Sequence, residues 1–228
     1  YAKLAERIVN RVDITTYAKR FSRKQSFTDK DMSAFLEKLG RWTLRGPLEK
    51  REVILYRGIT TSVVANGGSY EEAIELVLQS MLQSPRFIYR MENQHAGVRV
   101  GNFELAVRLS YLIWGAPPDE ALYAAAEQGK LSSPEQIRIQ VNRMLKDPQA
   151  VDRSVQFLSE WLNLDHLENL RPSKKHFPKW NPSLAADMRA ETIAFFKEVA
   201  WKQNRPLSDL FNAQLTYLTS QLAQHYRL

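Results

Sequence analysis

The chain has 228 residues, 44% of them hydrophobic and 25% charged, the composition of a globular protein long enough to bury a sizeable core. It has no cysteine, which excludes disulfides, thiolate metal sites, a cysteine nucleophile and thioether attachment of haem through C-x-x-C-H within it. Its net charge of +7 is concentrated ahead of residue 58, where 14 Lys and Arg face 7 Asp and Glu, while the rest balances at 18 against 18.

In chain order, Ala2, Leu4, Ala5, Ile8 and Val9 already have helical spacing and the first residue is Tyr1, so the chain is expected to start inside an element of a longer protein. The segment from Tyr17 to Lys24 carries Lys19, Arg20, Arg23 and Lys24 and has the charge for nucleic acid or an anionic surface. Glu6, Asp13, Asp29 and Asp31 interrupt it and no groove-reading motif accompanies it. It therefore reads as a solvated helix face or a contact with an acidic neighbouring domain.

Three capping patterns follow. Thr28-x-x-Asp31 opens the stripe Met32, Phe35, Leu36, Leu39. Ser69-x-x-Glu72 opens Ile74, Val77, Leu78, Met81, Leu82, and Ser133-x-x-Gln136, with Pro134 at the first helical position, opens Ile137, Val141, Met144, Leu145. The same spacing predicts helices at about 103–114, 118–128, 149–163 and 183–203. Gly115-Ala-Pro-Pro118, Gly129 and the proline-bearing segment 171–182 are the punctuation. Strand alternation is nearly absent, as is any apolar run of the roughly 20 residues that span a bilayer. The expectation is an all-α, multi-helix bundle of roughly eight to ten helices.

No catalytic constellation emerges. The histidines His95, His166, His176 and His225 lack metal-ligand spacing, and no serine sits in a G-x-S-x-G elbow. Catalytic residues are thus unidentified and no metal site is expected. His225, after an apolar turn, and Trp180, in the loop His176-Phe-Pro-Lys-Trp-Asn-Pro182, are the candidates for cofactor contact. Trp114 and Trp161 read as core. Glu191, between Met188 and Phe195, and Arg108, between Leu105 and Leu112, each share a face with apolar residues. Isolated burial of either charge is costly, so both are expected to be largely buried and charge-paired, with the pair Arg108–Glu191 suggested; an acid or base role for them is the alternative.

The run Glu104-Leu-Ala-Val-Arg-Leu-Ser-Tyr-Leu-Ile-Trp-Gly-Ala-Pro-Pro-Asp119, then Phe157-Leu-Ser-Glu-Trp161, Phe177-Pro-Lys-Trp180, Met188-Arg-Ala-Glu-Thr192 and His225-Tyr226, resembles the main part, domain-of-unknown-function family 1592, of bacterial multidomain proteins with planctomycete-type cytochrome c modules. Ahead of it, Tyr17-Ala-Lys-Arg-Phe21, Gly68-Ser-Tyr-Glu-Glu-Ala73 and Leu82-Gln-Ser-Pro-Arg-Phe87-Ile-Tyr-Arg90 resemble the N-terminal element, family 1595. Residues 38–57 match poorly, Arg227 stands where glycine is usual after the His-Tyr pair, and Tyr217-Leu-Thr219 stands where an Asn is common. The resemblance implies an N-terminal helical element at 1–92 and a main helical domain at 93–228, packed as one module. It implies export to the periplasm or beyond, and haem c carried by another domain of the parent protein rather than by this chain. Flanking domains of that parent are the implied partners, with a polysaccharide or redox partner besides. The expected role is a structural and interaction module; the alternative is part of an oxidoreductase active site completed by haem and flanking domains, and a basic nucleic-acid-binding protein comes last. Whether the module is an enzyme stays open.

Overall fold

The computed structural model describes residues 1–90 and 99–228, so His95 and the expected division at 92/93 lie outside the described residues. The fold is all-α, 65% helical, without a strand among the described residues, and ten of its helices have seven residues or more. Among the described residues no helix is long and apolar enough to cross a membrane.

In chain order the helices are α1 (Ala2–Val9), α2 (Ile14–Lys19), α3 (Asp29–Thr43), α4 (Lys50–Ala65), α5 (Tyr70–Leu82), α6 (Pro85–Ile88), α7 (Asn102–Ile113), α8 (Glu120–Glu127), α9 (Pro134–Met144), α10 (Pro148–Trp161), α11 (His166–Asn169), α12 (Pro182–Phe196) and α13 (Ser220–Tyr226). Most starts are written as short polar caps. Ser69 accepts from the Glu72 N–H at 3.1 Å while Glu72 accepts from the Ser69 N–H at 2.7 Å, and Ser133 and Gln136 do the same at 3.3 and 3.2 Å. Asp147 and Asn181, each followed by proline, cap α10 and α12 at 2.9 Å. The helix expected over 183–203 continues past Phe196 as a π-turn, Lys197–Lys202, closed by the Gln203 N–H on the Glu198 carbonyl at 2.8 Å.

The chain forms two compact units: Tyr1–Ser110 with Pro117–Ile137, and Tyr111–Ala116 with Arg138–Leu228. In the first, the stripes of α3 and α5 supply the core, with Met32, Phe35, Leu36, Leu39, Ile74, Val77 and Met81 all essentially inaccessible. Helix α4 escaped the sequence reading because only Tyr56 and Thr60 are buried along it and Ile54 and Leu55 face solvent, so no stripe shows. The turn after α3 is locked instead by side chains. Arg45, in left-handed backbone conformation at φ 60°, donates to the carbonyls of Arg86, Phe87 and Tyr89 and stacks on the Phe87 ring. Arg86 in turn pairs with Glu52 and donates to the Pro47 carbonyl at 3.1 Å.

In the second unit Trp114 is buried as expected: its indole N–H donates to the Met144 carbonyl at 3.0 Å and the Arg143 guanidinium lies 5.6 Å from its ring. Gly115 follows at φ +68°, where a side chain would be strained and its Cβ would come within 3.1 Å of Arg153.

The Arg45 clamp makes a direct prediction. Hydrogen bonds to a charged group contribute about 1.5–3 kcal/mol, so Arg45→Ala should lower the unfolding free energy by about 2 kcal/mol in denaturant titration, and Arg45→Lys, which keeps the charge but not the fork, should lose a large part of that. A loss below about 0.5 kcal/mol for Arg45→Ala, the range of an ordinary surface change, would contradict the clamp.

Candidate functional site

Helix α12 presents two faces. Leu184 and Ala185 are buried, whereas Ser183, Asp187 and Glu191 recur every four residues, with Glu198 in the π-turn beyond them. The C-terminal segment meets these polar groups with hydroxyls. The Thr219 hydroxyl donates to Asp187 at 2.7 Å, the Thr216 hydroxyl donates to Glu191 Oε1, the Tyr226 phenol donates to Glu191 Oε2 at 2.9 Å, and burial with the Glu198 charge behind it raises the Tyr217 phenol above its ordinary value. Ser183 donates to Gln221 at 3.0 Å, and Thr219 also caps α13 through the Leu222 N–H at 3.1 Å. Thr219 thus does the capping work for which an Asn is common, and Arg227 takes the left-handed position, φ 62°, at which glycine is usual.

Beside Glu191 lies an open groove of about 360 Å³ lined by Glu191, Thr192, Phe195, Ala213, Leu215 and Thr216. Glu191 is half-buried rather than enclosed, and both of its oxygens accept from neutral hydroxyls. Arg108, also half-buried, belongs to the first unit, Glu191 to the second. Burial, with added repulsion from the Glu191 charge it serves, pushes the Tyr226 phenol above its ordinary value. The Gln203 amide, followed by Lys202 at 3.1 Å, holds Glu198 below the usual carboxylate range.

His225 is exposed, its ring 5.7 Å from that of Tyr226, so it stands next to the groove's hydroxyl donor without lining the groove. Trp180 is half-buried in its loop, with its N–H on the Phe177 carbonyl at 3.1 Å. Trp161 corrects the sequence reading: it is 60% exposed and stacks on the equally exposed Phe157, ring centroids 6.2 Å apart and planes within 19°. Helical spacing places the two aromatics on one face of α10 but does not say which side of the helix meets the core. Of the residues that complete the Glu191 site, Tyr226 entered the sequence reading only as half of the His225-Tyr226 pair, with no link to Glu191, and Thr216 did not enter it, since a lone threonine in a loop carries no pattern. Among the described residues no group of three or more His, Cys, Asp or Glu is placed to hold a metal ion.

A family model described as PSD4, protein of unknown function (DUF1592), matches residues 100–228, and one described as PSD5, protein of unknown function (DUF1595), matches residues 31–92. No curated protein and no solved structure matches the chain.

The Tyr226 site is testable by alkaline titration of tyrosinate absorbance. The raised phenol should ionise above the ordinary tyrosine range, and Tyr226→Phe should remove part of the late-titrating amplitude. Glu191→Gln removes the charge repulsion but not the burial, so it should bring Tyr226 down only part of the way. Because the folded state favours the neutral phenol, this contribution to stability is complete below the unfolded tyrosine value and disappears as pH rises through the folded one. An unchanged titration in Tyr226→Phe would refute the assignment.

Proposed function

Since the chain belongs to the family of proteins of unknown function DUF1592, with a DUF1595 match ahead of it, we propose that it is a structural and interaction module of a longer, exported, cytochrome c-linked protein. The observation that carries this reading is the use to which α12 puts its carboxylates: Asp187 and Glu191 both serve to hold the C-terminal segment. Groups so committed build a scaffold. With no cysteine, the chain's own residues do not fit covalently attached haem, and in this reading haem c is carried by another domain of the parent. The exposed Phe157–Trp161 pair is the face this module offers to a flanking domain.

One observation favours a second reading. The Glu191–Tyr226 pair borders an open groove, and a carboxylate bonded to a phenol is a proton-handling arrangement, so the module would contribute these two side chains to an oxidoreductase site completed by haem and flanking domains.

The parent protein discriminates between them. Haem staining after denaturing electrophoresis is expected on the full-length polypeptide, and its absence would overturn the cytochrome linkage. In that same protein, Glu191→Gln should lower the thermal midpoint while leaving the rate of haem reduction by a small-molecule donor within about twofold, well short of the roughly hundredfold loss typical of removing a general acid or base. A collapse in that rate with the thermal midpoint unchanged would establish the second reading instead.

A further inference from the structure

The first unit carries an open hollow of about 500 Å³ lined by Thr16, Lys19, Arg20 and Arg23, where α2 ends. Its three cations differ from their neighbours. Lys24 is paired with Asp31 at 3.6 Å, and the Arg41 fork reaches Glu120 and Glu127 at 3.9 and 3.3 Å, but no ion pair joins Lys19, Arg20 or Arg23 to a carboxylate among the described residues. Asp13, which feels the charge of Lys19, is occupied by the Thr16 N–H and hydroxyl at 3.0 and 2.7 Å.

Arg20 is also held in place. Its guanidinium carbon lies 6.0 Å from the Tyr17 ring and 5.9 Å from the Trp42 ring, contacts that orient the fork while leaving its N–H edge without a carboxylate. An arginine stacked on aromatic faces loses less freedom when it binds a planar oxyanion, and two further cations in the same turn add charge without filling the hollow.

We propose that this hollow docks a carboxylate-rich peptide segment of a partner protein or domain, with the Arg20 fork taking one carboxylate and Lys19 and Arg23 its neighbours. The spacing of the cations selects this occupant. They cluster within residues 19–23 of the chain, whereas a nucleic-acid backbone carries phosphates along its whole length and draws its affinity from a longer row of cations. The proposal concerns a different surface from the Glu191 groove and survives or fails independently of the haem linkage.

The test is fluorescence anisotropy of a labelled peptide of alternating glutamate and glycine titrated with the full 228-residue chain, at low and at near-physiological salt. Saturable binding is expected at low salt. Arg20→Lys should weaken it about tenfold despite the retained charge, because the fork and its stacking are lost. Removing two charges in the other unit, as Lys174→Gln with Lys175→Gln, should weaken it by less than about twofold. Circular dichroism verifies that each variant is folded. Equal weakening by Arg20→Lys and by the two lysine changes in the other unit would overturn the proposal, as would absence of binding at low salt. So would displacement of the peptide, more readily than by unlabelled peptide, by duplex DNA or by inorganic phosphate.

Discussion

A carboxylate set on a helix face against another segment must be satisfied, and at Asp187 and Glu191 this requirement is met by hydroxyls rather than by cations. Asp187 receives a bond from Thr219, and Glu191 receives bonds from Thr216 and Tyr226. A neutral donor satisfies an ion without the desolvation of a second charge, and hydrogen bonds to charged acceptors are among the stronger ones. The stretch from Phe211 to Thr219 contains no regular helix, so its attachment depends on these bonds more than on its own backbone. The groove, the raised Tyr226 phenol and the position of α13 all follow from the same seam.

The first unit solves a similar problem with arginines. Its α3–α4 turn packs Leu44 and Leu48 on the core, and Arg45 and Arg86 close it by reaching backbone carbonyls and Glu52. Arginines therefore serve this unit in two ways: those bonded to carbonyls or carboxylates fix chain segments, and Arg20, bonded to neither, lies over aromatic rings at a surface hollow. The basic excess at the N-terminal end is in this sense divided between architecture and an available surface.

The legibility of the fold tracks the locality of its causes. Helices α3, α5 and α9 were readable because cap and stripe lie within a few residues, and α10 and α12 because their apolar spacing persists. Helix α4 was not, since its burial rests on Tyr56 and Thr60 alone. At the site, Glu191 stood out as a polar residue in an apolar stripe, yet its partners lie 25 and 35 residues away, and neither the lone Thr216 nor the His225-Tyr226 pair points to Glu191 in the sequence. The expectation of a charged partner came from the cost of burying an ion; at half exposure that cost falls, and two hydroxyls suffice. Trp161 shows the opposite error: an aromatic at helical spacing was read as core, and only the packing of α10 reveals its outward face.

A double-mutant cycle of Glu191→Ala and Tyr226→Phe, read by unfolding free energy together with amide exchange over residues 213–226, tests most directly whether Glu191 is an anchor. The account predicts a coupling of about 1 kcal/mol and faster exchange through that segment in each single variant. Additive losses within about 0.3 kcal/mol, with exchange in the segment unchanged, would contradict it.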